Sequence, residues 1–282
     1  MITSTRNPRI VQARKLTARK HRLRQNRFLV EGLQLLGMAV EMMATPTGRQ
    51  KIIPLELFYS QELFSGPMAP HLLERLTAAG AEPVPTAARV LDTLSEREVS
   101  QGLAAVFARQ PLLWTLEELE PVLTGTDGLV LVLDRLQDPG NLGTLIRTAD
   151  AVGAQAVFLL EPCVDPFDPK TVRGTMGSLF TVPLVSIDRP GDLFGWLGRL
   201  GYRAVGADAA GTTVWQSEAL SGRVALVLGN EARGLSPDLR ERLAEYVSLP
   251  ILGHAESLNV AVAGGALMYE WLRRTTRRDK AG

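Results

Sequence analysis

The sequence predicts an α/β protein of two domains, a small one followed by a larger one with a ligand site at the ends of buried strands. Three observations carry this. Strand-like and helix-like stretches alternate along the 282 residues. Residues 129–147, 224–234 and 249–260 share one form, an apolar run, a polar turn and a helix. A loop-like stretch, Thr124-Gly125-Thr126-Asp127-Gly128, lies between two such alternations. Short β-branched apolar runs bounded by turn residues read as buried strands. Open α/β sheets bind ligands at the carboxyl ends of such strands.

Taken in order, residues 6–24 predict one helix with Ile10, Ala13, Leu16 and Leu23 as its apolar stripe. Residues 28–30 predict a strand and 33–43 a helix with Leu33, Leu36, Val40 and Met43 on one face. Strands at 52–59, 82–85 and 103–108 alternate with helices at 70–79 and 87–94. This is a small α/β domain, residues 1–108, with the composition of a recognition module. Residues 109–127 form a linker with some helical character at 116–123. The second domain, 128–282, opens with the strand 129–133, a polar turn at 134–143 and the helix 142–152. Strands at 156–160, 182–187, 203–207, 224–228 and 246–249 follow. Irregular chain fills 161–169. Helices are expected at 170–179 and 192–200, from about Ser236, and at 258–274, the last ending among Arg273, Arg274, Arg277 and Arg278.

Composition narrows the function classes. Hydrophobic residues make up 45% and charged residues 22%, which supports a sizeable core. No run approaches the roughly 18 apolar residues of a membrane span. The basic N-terminus has no apolar segment behind it, so no signal peptide is expected. Cys163 is the single cysteine, which excludes internal disulfides and suits a reducing cytosol, so the expected location is cytoplasmic. His21, His71 and His254 are far apart in sequence, and no metal site is expected.

Charge is distributed unevenly. Residues 1–30 hold Arg6, Arg9, Arg14, Lys15, Arg19, Lys20, Arg22, Arg24 and Arg27, with no Asp or Glu. Since the whole chain is only +1, the remainder is net negative. A basic arm of this kind is an electrostatic footprint for phosphate backbones. The competing reading is a solvated helix face or a tail.

Spacing alone also suggests a βαβ unit over 129–161, with Gly140 and Gly143 at the turn and Glu161 ending the second strand. That arrangement is close to a dinucleotide fingerprint. The turn reads Gly-Asn-Leu-Gly, however, and not Gly-x-Gly-x-x-Gly. A nicotinamide-dependent enzyme is therefore a distant reading.

Together the three turns resemble the SpoU family of RNA ribose methyltransferases, within the SPOUT superfamily. The first motif is Asp138-Pro139-Gly140-Asn141-Leu142-Gly143-Thr144-Leu145-Ile146-Arg147-Thr148-Ala149. The second is Leu228-Gly229-Asn230-Glu231-Ala232-Arg233-Gly234-Leu235. The third is Leu249-Pro250-Ile251 followed by Ser257-Leu258-Asn259-Val260-Ala261-Val262-Ala263. Order and spacing agree over residues 128–275. The connecting stretch 173–180 is also similar. Residues 4–10, 27–32 and 101–106 resemble the substrate-binding domain that precedes many SpoU domains, which is itself similar to small RNA-binding ribosomal proteins. The pairing of both domains looks most like the ribosomal-RNA members.

The resemblance implies several expectations. The C-terminal domain should carry a trefoil knot, which no sequence rule would propose. S-adenosyl-L-methionine should bind at the second and third motif loops through Leu228, Gly229, Gly234, Leu249, Ile251 and Leu258. The active site should sit near the interface of a homodimer formed through the C-terminal domain. The reaction should be methyl transfer to a ribose 2′-hydroxyl in structured RNA, with ribosomal RNA ahead of transfer RNA. A non-catalytic RNA-binding or ribosome-assembly protein of the same fold is the alternative.

By the same resemblance Arg147 acts on the 2′-hydroxyl. Asn141 either caps the helix carrying Arg147 or, in the family reading, supports Arg147 or contacts substrate. Glu231 positions Arg147 or a substrate group, and Arg233 binds phosphate or pairs locally. Ser257 and Asn259 line the substrate and cofactor side, although Ser257 could be only a helix cap. Arg6, Arg9, Arg19, Lys20, Arg22 and Arg24 are the expected RNA contacts. Cys163 reads as structural, because ribose oxygen methylation needs no covalent intermediate. His254 reads as a solvated loop residue.

Overall fold

The computed structural model describes residues 1–95, 100–123, 125, 127–243 and 245–278, the side chains of Arg277 and Arg278 excepted. Thr124 and Thr126 of the expected loop lie outside the described residues, as do residues 279–282. Helices in chain order are α1 (Pro8–Lys15), α2 (Arg19–Gln25), α3 (Leu33–Met43), α4 (Pro46–Lys51), α5 (Met68–Ala78), α6 (Ala88–Leu91), α7 (Leu116–Leu119), α8 (Pro139–Ala151), α9 (Pro169–Gly174), α10 (Pro190–Arg199), α11 (Pro237–Arg240) and α12 (Val260–Arg278). Strands are β1 (Arg27–Glu31), β2 (Pro54–Tyr59), β3 (Glu82–Pro85), β4 (Leu103–Ala108), β5 (Gly128–Asp134), β6 (Ala156–Leu160), β7 (Leu184–Ile187), β8 (Arg203–Thr213), β9 (Arg223–Leu228) and β10 (Glu245–Ser248).

The chain divides into two compact units, Met1–Leu113 with Asp165–Thr181, and Trp114–Val164 with Val182–Gly282. The segment Asp165–Thr181, which follows β6 in sequence, therefore packs with the N-terminal residues, whereas a linear division gives it to the second domain.

In the first unit β1-β4-β2-β3 form a mixed sheet, antiparallel except for the β2–β3 pair. Its core gathers Ile10, Ala13 and Leu16 of the N-terminal helical segment with Phe58, Val84, Leu91 and Val106. The single helix expected over residues 6–24 is two helices. Asn7 caps α1, its side chain accepting the Arg9 N–H at 2.9 Å. The chain leaves helical geometry after Lys15, and Ala18 is extended before α2 begins. The break changes which face points inward. Leu23 is 47% exposed, and Arg22 takes the buried position at 1%.

Arg22 is thereby removed from the expected RNA contacts. Its guanidinium donates to Asp165 at 2.8 Å, to Asp168 at 3.3 Å and to the Leu16 and Thr17 carbonyls. A buried guanidinium this fully bonded is a structural pin. Arg9, its side chain 34% exposed, pairs with Glu56 and Glu82, both at 2.7 Å. Arg27 pairs with Glu56 at 3.2 Å. The arm therefore does face acids. Arg6, Arg14, Lys15, Arg19, Lys20 and Arg24 remain on the surface.

The second unit is built on a six-stranded sheet in the order β10-β8-β9-β5-β6-β7, all neighbours parallel. β5 and β6 are buried at every residue, as expected of strands covered on both faces. From β5 the chain moves outward through β6 and β7, then returns to build β8, β9 and β10 on the other side. The junction of β5 and β9 is therefore the topological switch point, where open sheets place their ligands.

Two helical expectations are shortened. The helix expected at 170–179 stops at Gly174, because Met176 and Gly177 both take positive φ, at 52° and 106°. The helix from Ser236 is the single short α11. In α12 the C-terminal arginines do more than complement the helix end. Glu270 receives Arg273 and Arg274, both at 2.7 Å, and Arg274 also reaches the Val214 carbonyl at 2.8 Å.

Candidate active site

The βαβ unit expected over 129–161 is present as β5-α8-β6, but Gly140 and Gly143 lie inside α8. No glycine-rich phosphate loop exists there. The turn between β5 and α8 is instead held by polar side chains. Asp138 caps α8, accepting the Asn141 N–H at 2.8 Å. Asn141 is thus not the cap. Its side chain donates to Glu231 at 3.1 Å and accepts from the Asn259 side-chain amide at 2.9 Å.

Glu231 reaches the same helix start from the loop after β9. Its carboxylate accepts the Gln137 N–H at 3.2 Å and the Asp138 N–H at 3.0 Å. The Asp138 N–H, at the cap, is a donor that the helix N-terminus leaves unsatisfied, and an anion is favoured there by the helix dipole. Burial works against the charge of Glu231, but the hydrogen bonds from Asp138, Asn141 and Gln137 outweigh it and hold its carboxyl below the usual range. Glu231 consequently positions the start of α8, and no ion pair joins it to Arg147.

The loop itself is tightly closed. Asn230 and Gly234 exchange backbone hydrogen bonds at 3.0 and 2.9 Å. The Asn230 side chain accepts from Ala232 and Arg233 and donates to the Arg135 carbonyl at 2.8 Å. Gly234 takes φ 64°, and a Cβ on Gly229 would lie 2.3 Å from the Gly234 carbonyl carbon. Glycine is required at 229, and at 234 it takes the left-handed conformation at no steric cost. Arg233 is exposed.

Asn259 closes the arrangement. Its side-chain oxygen accepts the N–H groups of Ala261 and Val262 at 2.9 and 3.2 Å, so Asn259, and not Ser257, caps α12. Asn141, Glu231 and Asn259 form one chain of hydrogen bonds across three motifs. α12 approaches α8 closely, and a Cβ on Gly264 would lie 2.5 Å from Leu228 and 2.6 Å from Leu145.

Beside this chain lies a cavity of about 500 Å³. Leu228, Gly229, Gly234, Leu249, Ile251 and Leu258 all line it, together with Glu231, Ser257 and Asn259. Asn141 and Arg147 do not. Arg147 is exposed on α8, about 9 Å along the axis from Asn141. No hydrogen bond or ion pair joins Arg147 to another described residue. Ser257 is exposed at the cavity edge, and His254 is exposed and outside the lining. Cys163 is buried, and burial together with the Glu161 charge pushes its thiol up to about 12, which suits an inert core residue.

Ala207, Asp208 and Ala209 of β8 also line the cavity, and sequence reasoning missed them. The signal was present, since the expected strand 203–207 ends at these residues and strand ends are where ligands bind. Among the described residues, no group of three or more His, Cys, Asp or Glu is placed to hold a metal ion. Among them too, no helix is long and apolar enough to cross a membrane.

The chemistry of the lining fits S-adenosylmethionine. The volume falls within the usual range for small-molecule sites. Leucine and isoleucine side chains offer an apolar slot for an adenine, and glycine backbone lies open beside it.

Comparison with known proteins agrees with this geometry. Residues 128–269 match the SpoU rRNA Methylase family. The chain belongs to that family. Residues 7–105 match the MRM3-like substrate binding domain. A 23S rRNA (guanosine(2553)-2′-O)-methyltransferase of Bacillus subtilis is 32% identical over 95% of this chain and 97% of its own. A 23S rRNA (uridine(2479)-2′-O)-methyltransferase of Streptomyces viridochromogenes is 30% identical over 96% of this chain and 91% of its own. Among solved structures, the SpoU methyltransferase AviRb from Streptomyces viridochromogenes in complex with AdoMet gives a TM-score of 0.82 at 31% identity, covering 96% of this chain and 99% of that one. An AdoMet-bound rRNA methyltransferase from Sinorhizobium meliloti gives 0.82 at 30% identity, covering 96% and 97%. The matched residues 128–269 contain the three loops that bring Asn141, Glu231 and Asn259 together.

Proposed function

We propose that this SpoU protein transfers a methyl group from S-adenosylmethionine to the 2′-hydroxyl of a ribose in ribosomal RNA. The observation that carries this reading is the cavity of cofactor size beside a helix whose start is pinned by Glu231 and which presents Arg147, an arginine with no partner among the described residues. The names of the relatives support the reaction and favour ribosomal over transfer RNA as substrate.

When bound, S-adenosylmethionine supplies an electrophilic methyl group. Leu228, Leu249, Ile251 and Leu258 exclude water from its adenosine, and the backbone at Gly229 and Gly234 comes close to it. The guanidinium of Arg147 stays protonated, with a pKa above about 12, so it is a poor general base. Its work is electrostatic. It holds the phosphate next to the target ribose and stabilises the alkoxide that develops on the 2′-oxygen. Asn141, Glu231 and Asn259 fix the α8 N-terminus relative to the cavity, and Ser257 lies at the mouth where the ribose enters. Arg6, Arg14, Lys15, Arg19, Lys20 and Arg24 of the first unit meet the RNA backbone.

In this reading the protein is a homodimer with a trefoil-knotted C-terminal domain, as the family resemblance implies, and its cysteine usage suits the cytoplasm. Val262 and Tyr269, exposed at 60% and 53% on α12, support a covered face there.

The test is methyl transfer from labelled cofactor to unmodified ribosomal RNA, followed by mapping of ribose methylation. One methylated ribose in ribosomal RNA is the expected result. Methylation of transfer RNA alone would move the substrate. RNA binding without any cofactor binding would favour the non-catalytic alternative.

A further inference from the structure

Asp208 lines the cavity from β8 and belongs to none of the three motifs. Its side chain is 17% exposed. One carboxylate oxygen accepts the Ala210 N–H at 2.9 Å, and the other receives the guanidinium of Arg240. Arg240 ends α11, and its guanidinium lies 3.8 Å from where a Cβ on Gly234 would sit. The ion pair therefore stands at the rim formed by the second motif loop. The Tyr246 hydroxyl donates to the Arg240 carbonyl at 2.7 Å and steadies that end of the pair. The Ala210 N–H, against burial and with help from Arg240, holds the Asp208 carboxyl below its ordinary value. Each oxygen keeps an unused lone pair.

Position in the sheet separates Asp208 from the reacting end. β9 lies between β8 and β5, and β5 leads to α8. Asp208 is thus across β9 from Asn141 and Arg147. The methyl group must face α8, so Asp208 meets a part of the cofactor that does not react. Paired with Arg240, Asp208 has little net charge to offer an ammonium group. Its free lone pairs suit neutral donors, and a vicinal diol supplies two of them. An acidic residue on ribose hydroxyls is a recurring solution at the strand ends of α/β sheets.

We propose that Asp208 is a cofactor-binding residue that accepts hydrogen bonds from the ribose hydroxyls of S-adenosylmethionine, with Arg240 as its positioning residue. This rests on the reading that the cavity holds that cofactor.

The test is calorimetry on the full-length chain with three ligands: S-adenosylhomocysteine, its 2′,3′-dideoxy analogue and 5′-methylthioadenosine. Asp208→Ala should weaken S-adenosylhomocysteine and 5′-methylthioadenosine each by about tenfold. The dideoxy analogue should bind weakly to the parent and be unaffected by the substitution. Arg240→Ala should show the same pattern with a smaller loss. If Asp208→Ala does not fold, Asp208→Asn retains an acceptor for the Ala210 N–H and should show the same selectivity with a reduced loss. Equal losses for all three ligands, or none, would overturn the assignment while leaving the cavity as a cofactor site. A loss confined to S-adenosylhomocysteine would also overturn it, by placing Asp208 on the ammonium. A parent protein that binds none of the ligands would overturn this inference and the functional reading together.

Discussion

Arg22 and Arg147 each lie on a helix, one in each unit, and their surroundings are opposite. Arg22 is 1% exposed, with two aspartates and two carbonyls around its guanidinium. Arg147 is exposed and has no hydrogen-bond or ion-pair partner among the described residues. In the first unit the charge closes a core. In the second the polar side chains nearest the helix start, Asn141, Glu231 and Asn259, bond one another and leave the arginine to meet something outside the chain. Residue type and helical state are the same in both cases. What differs is whether the fold brings acids to the guanidinium.

The largest expected effect bears on the cavity that gives the second unit its ligand. In Gly229→Leu the new side chain has no room against the Gly234 backbone. Binding of S-adenosylhomocysteine should fall below detection by calorimetry, while circular dichroism shows that the sheet persists. Retained affinity would mean that the second motif loop does not form the cofactor site.

Next comes the pair of arginines in urea denaturation. Arg22→Met leaves Asp165 buried without its cation and should cost about 3–5 kcal/mol. Arg147→Met should change stability by less than about 0.5 kcal/mol. Similar costs at the two positions would erase the contrast.

Salt dependence of RNA binding sharpens it further. Replacing Arg14, Lys15, Lys20 and Arg24, all exposed, should flatten the slope of log affinity against log salt by roughly two to three. Arg9→Ala should change the slope little, because Glu56 and Glu82 already match its charge. An equal effect from Arg9 would show that those ion pairs open on binding.

The smallest effect concerns acid stability. Arg273, against burial and joined by Arg274, lowers the Glu270 carboxyl to about 2 from its ordinary value near 4.5. A carboxyl lowered on folding contributes stability that is full above its unfolded value and lost as pH falls. Thermal unfolding should therefore show Tm dropping between about pH 4.5 and 2. Glu270→Gln should be less stable at neutral pH and flatter over that window. An unchanged acid limb would place the acid sensitivity elsewhere.

Much of this was legible in sequence. The fully buried runs of β5, β6 and β9 read directly as strands, and α3 was bounded correctly because its apolar period is uninterrupted from Leu33 to Met43. All six expected cofactor residues line one cavity, since glycines and leucines at strand ends signal a close backbone approach. Other features depended on three-dimensional partners. Both Asp138 and Asn141 are able to cap α8, and both Ser257 and Asn259 are able to cap α12, so local sequence did not choose between them. Arg22 and Leu23 exchanged faces because the break between α1 and α2 shifted the helical phase. The acids that neutralise Arg9 and Arg22 lie more than 40 residues away in sequence, where no periodicity links them to the arm.

The central claim is that Arg147 acts on the substrate and not on the fold or the cofactor. It is tested most directly by single-turnover methyl transfer with Arg147→Ala, measured beside S-adenosylhomocysteine affinity. The account predicts a loss of about 10²–10³ in the methyl-transfer rate, with cofactor affinity within about threefold of the parent and Arg147→Lys recovering little, since an ammonium cannot reproduce the planar fork. Near-parental methyl transfer in Arg147→Ala would contradict it.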